Sequence, residues 1–258
     1  MGENGRLQHR VTIHTVTGYC HNTLNWSPHN APTPADWLLL PQQELCCFTQ
    51  GAVFHDGVGE LKQARALLAF YPDDVWRFLL AAQWDRIGEE EPFLGRTGLV
   101  GDELGSRLLA GRLVQDVMRL CFLLERTYAP YAKWFGSAFA QLRSAQPLLP
   151  LLEAVWAASD WHARETAMTA VYEIVAQLQN EAGLAEPQPT KVSPFHERPF
   201  LIIHGNRFSH ALRQRITDPA VRALPAWLGS VDQWIDATPW LSYPQRLKQL
   251  QSLYQEQA

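Results

Sequence analysis

The chain has 258 residues, 47% of them hydrophobic and 19% charged, with a net charge of −4. That length supports a substantial core in one large domain or two small ones, and the acidic balance argues against a duplex-binding surface, which needs a basic excess. Four cysteines without a C-x-x-C pair, no signal-peptide pattern and no apolar run of spanning length read as a soluble cytoplasmic protein with reduced thiols and with neither a membrane nor a nucleic-acid partner.

VTIHTV (Val11–Val16) alternates β-branched and polar residues, the pattern of a strand. Asn22 to Pro41 holds several prolines and reads as a loop, with one helical turn at Pro34–Leu40. GAVFHDG (Gly51–Gly57) reads as a short strand ending in a glycine turn. His55 and Asp56 at its end occupy a place that suits functional groups and Asx turns equally. Glu60 to Phe70 fits a helix. YPDD (Tyr71–Asp74) then starts another, with a proline and two acids at the positive end of the dipole. Trp76, Leu79, Leu80, Gln83 and Ile87 share its inner face, and Gly88 is the expected stop, followed by the loop EEEPFLGRTGLVG.

Gly101 to Arg126 is a helix with apolar residues on nearly every side, yet it carries Glu103, Arg107, Arg112, Asp116 and Arg119. At about 100° per residue, Glu103 and Arg107 align with Ala110, Val114, Met118 and Cys121, while Arg112, Asp116 and Arg119 form a second stripe. Two readings follow. The charges cancel one another at i,i+3 and i,i+4 spacing, or they line a polar pocket in the bundle, where arginines meet an anionic ligand. Helices are expected at Tyr131–Leu142, Pro147–Ala158 and Trp161–Glu181, then a proline-rich connection over Glu186–Pro199. FLIIHG (Phe200–Gly205) reads as a buried strand, and Arg207–Ile216 and Tyr243–Gln257 as helices.

Other constellations carry less. His14, Cys20, His21 and His29 match no zinc spacing, so no metal site is expected. Lys133 and Trp134, close after Tyr128 and Tyr131, suggest an aromatic wall with an ammonium suited to phosphate, or a helix surface with one snorkelling lysine. Arg198 and His204 match an Arg-x5-His nuclease pattern, but the intervening PFLII demands a strand where that pattern needs a helix. The sequence holds no Gly-rich phosphate loop, no Ser–His–Asp arrangement and no H-E-x-x-H.

Four strings, GAVFHDGVGELKQARALLAFYPDDVWRFLLAAQW, GDELGSRLLAGRLVQDVMRLCFLLERTYAPYAKWFGSAF, RPFLIIHGNRFSHALRQRITDP and LGSVDQW, resemble a bacterial family of unknown function seen as the C-terminal part of nucleotidyltransferase-like proteins. The resemblance runs from about Val11 to Asp236. It implies a polymerase-β-type front part, whose Gly-Ser turn and Asp-x-Asp pair hold Mg²⁺. Behind it comes a helical bundle, similar in placement to that of aminoglycoside nucleotidyltransferases, which closes over the acceptor. Here only MGENGRLQHR precedes VTIHTV, without either motif. The metal-binding half is therefore expected to be missing, and Mg²⁺ and a nucleoside triphosphate are expected only in full-length relatives.

The expectation is a mainly α protein, a helical bundle with a few short β-strands that the resemblance reads as the remnant edge of an α/β nucleotidyltransferase-type domain. Residues 1–57 form that strand-and-loop segment, 58–185 the bundle, and 186–258 a C-terminal extension packing on it. The expected role is the substrate-binding helical portion of a nucleotidyltransferase-like protein without autonomous catalysis, binding a small-molecule acceptor or nucleotide. Asp102, Glu103, Arg107, Asp116, Arg119 and Lys133, with His55 and Asp56, are the expected site residues, and Glu103 is the first candidate for a base toward an acceptor hydroxyl. The alternatives are a non-catalytic binding or oligomerisation module, forming a homodimer through exposed strand edges, and a helical nuclease using Arg198 and His204.

Overall fold

The computed structural model describes residues 11–254. The expectations for residues 1–10, and for the end of the Tyr243–Gln257 helix at 255–257, fall outside the described residues. The architecture is mainly α, as the periodicity requires. In chain order come α1 (Val16–Tyr19), a π-helical turn (Cys20–Leu24), α2 (Pro34–Leu39), α3 (Gln42–Thr49), α4 (Glu60–Leu67), α5 (Asp73–Leu99) and α6 (Glu103–Leu124). A 3-10 turn (Ala132–Trp134) leads into α7 (Phe135–Phe139), α8 (Ala145–Ala157) and α9 (Trp161–Glu181). Then follow β1 (Ser193–Pro194), β2 (Leu201–Ile202), α10 (Gly205–Gln214), α11 (Pro219–Arg222), α12 (Val231–Trp234), α13 (Thr238–Leu241), α14 (Pro244–Leu247) and a closing 3-10 segment (Lys248–Tyr254).

The expected strands fare differently from the helices. VTIHTV forms no strand among the described residues: Thr15 accepts a hydrogen bond from Gly18 N at 3.0 Å and caps α1, so Val16 already begins a helix. GAVFHDG is a loop of bends with no ladder partner. β-branched composition marks a residue that suits a pleated surface, and without a neighbouring strand no such surface forms. Of FLIIHG only Leu201 and Ile202 pair, antiparallel to Ser193 and Pro194. The C-terminal helix breaks into α14 and the 3-10 segment.

α5 does not stop at Gly88. It continues through Glu89–Glu91 and Pro92 to Leu99, where a loop is expected from the sequence. Ile87, Glu91, Leu94, Gly95 and Gly98 are all buried, so the inward stripe persists past the usual stop signals and tertiary burial overrides local propensity. Gly88 has another purpose. A Cβ there would come within 2.9 Å of Asn206 N, and one on Gly205 within 2.7 Å of Trp84 O. The two glycines let α10 lie directly on α5.

α5 is the hub of the bundle, packing against α6, α9, α10 and α11. Its first half buries Trp76, Leu79, Leu80, Gln83 and Ile87, the face expected from periodicity. Trp84 stacks on Phe208 with ring centroids 4.3 Å apart and donates to Gln179 Oε1 at 2.8 Å, tying α5, α10 and α9 together. The main apolar cluster runs from Cys20 to Tyr254, and a smaller one gathers Val231, Ile235 and Leu247. Among the described residues no helix is long and apolar enough to cross a membrane.

Candidate functional site

The charges of α6 separate into two groups along its axis. Glu103 and Arg119 are sixteen positions apart, about 24 Å at 1.5 Å per residue. At the N-terminal end, Asp102 caps the helix by accepting from Gly105 N at 2.8 Å. Glu103 accepts from Trp161 N at 3.0 Å and from Arg164 at 3.2 and 3.3 Å. Arg164 is 1% exposed and also donates to Ser106 Oγ at 2.8 Å, so Glu103 neutralises a buried cation and holds the start of α9. Arg107 is exposed and makes no ion pair among the described residues.

The other group lies in the second half of the helix. Asp116 is 1% exposed and accepts from Gln83 Nε2 at 3.0 Å and from Arg86 at 3.2 and 3.3 Å. Arg119 lies 3.8 Å from Asp116 and donates to Asp236 Oδ1 at 2.7 Å. Arg112 pairs with Glu90 on α5. The pairing is thus between helices more than along α6 as i,i+4 spacing suggests. Arg119 also borders a cleft of about 370 Å³.

That cleft is assembled from distant parts of the chain. Pro41 ends the approach to α3 and places Gln42 and Gln43 in its first turn. α6 supplies Gln115 and Arg119, the turn before α7 supplies Pro130, and the α12–α13 region supplies Asp232, Asp236 and Thr238. Gln233 fixes α12 by donating to Leu79 O and to Gln83 Oε1, both at 3.0 Å, while Ser230 N donates to its Oε1 at 2.9 Å. The adjacent Asp232 carboxylate accepts from Gln42 N at 3.0 and 3.2 Å. Neighbouring residues of one short helix therefore clamp it between α5 and α3, and the cleft lies on the Gln42–Asp232 side.

Burial pushes the Asp232 carboxyl up to about 6, against the opposing pull of the Gln42 N–H and the Arg119 guanidinium. A carboxyl raised toward neutrality at a cleft is a candidate for proton transfer. The amides beside it are not fully engaged. Gln42 is 5% exposed; its Oε1 accepts from Ala129 N at 2.9 Å, which leaves Nε2 as a donor without a partner among the described residues. Gln43 is 8% exposed; its Nε2 donates to Glu44 Oε1 and Ser242 Oγ, which leaves Oε1 as an unused acceptor. Neither atom is among the fully buried unpartnered ones, so both reach solvent and are open to a ligand.

A larger cleft of about 660 Å³ lies between α5, α10 and the β1–β2 turn. Its charged side chains are mostly engaged: Asp85 with Arg213, Arg86 with Asp116, Glu90 with Arg112. Glu91 accepts from the N–H groups of Ile203 at 2.5 Å, His204 at 3.2 Å and Gly205 at 2.9 Å. Burial nevertheless raises its carboxyl to about 7. His204 meets Ser193 Oγ at 2.7 Å, and Arg198 sits exposed in the intervening turn. Volume favours this cleft, and Glu90 Oε2 on its lining is buried without a partner; the smaller cleft instead combines a raised carboxyl with glutamine amides whose free ends reach solvent.

Of the expected site residues, Arg119 lines the smaller cleft and Asp116 backs it. Lys133 stands exposed on the neighbouring turn, its Nζ 5.9 and 5.1 Å from the Tyr131 and Trp134 rings. Asp102, Glu103 and Arg107 lie toward the far end of α6. His55 is exposed in the α3–α4 loop, and Asp56 accepts from Gly59 N at 3.1 Å and Lys62 N at 2.8 Å to start α4. Asp232, Gln42, Gln43 and Gln115 were not foreseen. The one local signal was the repeated glutamine after Pro41, whereas the Asp232 partnership spans 190 positions. Among the described residues no three His, Cys, Asp or Glu side chains gather as a metal ligand set.

Residues 37–135 match the family model described as "Domain of unknown function (DUF4037)". The matched segment contains Gln42, Gln43, Gln115, Arg119 and Lys133; Asp232 lies beyond it. No curated protein and no solved structure matches the chain.

Proposed function

We propose that this chain is the substrate-binding helical portion of a nucleotidyltransferase-like protein, seating an acceptor molecule in the cleft between Arg119 and Asp232, with the transfer chemistry supplied outside it. The observation that carries the reading is Asp232: a carboxyl raised to about 6, bordering a cleft and flanked by buried amides with unused donors and acceptors. Such a group can take a proton from an acceptor hydroxyl near neutral pH. Glu103, the base expected from the sequence, is committed to Arg164.

Native mass spectrometry of the purified chain against a small-metabolite library tests this reading. It should retain a small molecule while transferring no nucleotide from ATP, GTP, CTP or UTP in the presence of Mg²⁺. Turnover by the chain alone, or retention of nothing, contradicts it.

A second reading, a homodimerising module, has one observation in its favour. Leu104 and Leu108 on α6 and Trp156 on α8 are 70%, 64% and 62% exposed, and the Trp156 ring would lie 3.1 Å from a Cβ on Gly111 of α6. Light scattering decides it: a monomer at every concentration rejects this reading.

A further inference from the structure

We propose that the occupant of the Arg119–Asp232 cleft is a neutral, hydroxyl-rich molecule of the polyol class, recognised by the amides of Gln42, Gln43 and Gln115. The inference rests on the reading of that cleft as the ligand seat and names what it takes.

Charge narrows the ligand class first. The lining holds the carboxylates of Asp232 and Asp236 and the guanidinium of Arg119. Arg119 is already committed, to Asp236 at 2.7 Å and to Asp116 at 3.8 Å. The described lining thus sets two carboxyls against the one guanidinium of Arg119, already shared with Asp236 and Asp116, so the balance opposes an entering phosphate or carboxylate. An anionic ligand, the kind suggested by the arginines of α6 in sequence, is disfavoured.

The hydrogen-bonding pattern then selects the chemistry. Gln42 offers a donor from Nε2 and Gln43 an acceptor from Oε1, in side chains 5% and 8% exposed. These atom assignments follow from the partners already made, because Ala129 N requires an oxygen and Glu44 Oε1 requires an N–H. Gln115 lines the same cleft with both ends of its amide unused among the described residues, and Asp232 adds carboxylate oxygens. Donors and acceptors thus line the same cleft. A hydroxyl group both donates and accepts, so adjacent hydroxyls can satisfy the array as neither an apolar molecule nor a pure cation can. Phe135, Ile235 and Leu241 also line the cleft and give the C–H faces of such a molecule an apolar wall. The volume of about 370 Å³ lies at the small end of the range for ligand sites and suits a single ring or a short chain.

The test is saturation-transfer NMR on the intact chain with myo-inositol and glucose as neutral probes and glucose 6-phosphate as the anionic one. The expected result is saturation transfer to a neutral probe, with the phosphate weaker. Gln43→Leu and Gln115→Ala should each weaken binding about tenfold, the loss of one good hydrogen bond. Gln115 is only half-buried, so its variant should keep the wild-type melting temperature and separate loss of binding from loss of fold. Equal or tighter binding of the phosphate, or no transfer to either neutral probe, overturns the proposal. A ligand of another class found in this cleft by the library measurement overturns the polyol assignment and leaves the cleft as the seat. A ligand mapped elsewhere overturns both.

Discussion

Asp232 shows how far one side chain can depart from its ordinary behaviour through packing alone. Its folded pKa of about 6 stands well above the ordinary aspartate range, and burial is the largest cause. For an acid raised in this way, the stabilising contribution is complete below the unfolded value and lost as pH rises through about 6. Above that pH the folded chain holds a carboxylate that it would bind more comfortably as the acid. Asp232→Asn removes this term while keeping an oxygen that can accept from Gln42 N. Thermal melts should therefore show the variant gaining on the wild type between pH 5 and pH 8, by on the order of 1 kcal/mol, while polyol binding is lost. This is the trade of stability against function expected of a residue kept for its chemistry. A variant that loses stability at pH 8 would mark Asp232 as structural. Glu91 has the same sign, with a folded value of about 7, but its oxygens already receive three backbone N–H groups. It is the start of α10 made in side-chain form.

Between elements, the ionic groups of α6 act as fasteners to its neighbours. Glu103 joins it to α9, Arg112 and Asp116 to α5, and Arg119 to the segment after α12. Glu103→Ala should leave Arg164 buried without a counter-charge. Breaking a fully buried pair costs 3–5 kcal/mol, and since Glu103 is 40% exposed the lower end applies, about 3 kcal/mol in urea unfolding. A loss under about 1 kcal/mol would show that the pair behaves as a surface one. Periodicity made much of this level legible. α9 has the expected bounds Trp161–Glu181, α6 lies inside its expected span, and the start of α5 follows from its acids. The continuation of α5 was hidden because Gly88 and Pro92 are local stop signals. Gly88 lets α10 approach closely, a partner more than a hundred positions away. The expected strands at Val11–Val16 and Gly51–Gly57 failed for the converse reason, since local β character had no ladder to join.

Across the whole molecule, the cleft exists because the chain returns. α3, α6 and α12 meet only when the region after α11 folds back on the first helices, and the hydrogen bonds between Gln42 and Asp232 close that circuit. Arg119 and Asp116 were legible from their stripe on α6, and their charge was the reason to expect a site. What charge periodicity could not show was the partner that each would find: Gln83 and Arg86 for Asp116, Asp236 for Arg119. Glutamines carry no charge signal and acquire meaning only through burial with an unmet hydrogen bond. The most direct measurement of the central claim is amide hydrogen exchange of the intact chain with and without its retained small molecule. The account predicts slowed exchange in α3, in residues 129–135 and in residues 231–238, with the β1–β2 turn unchanged. Protection confined to the α10 cleft, or spread evenly over the bundle, would contradict it.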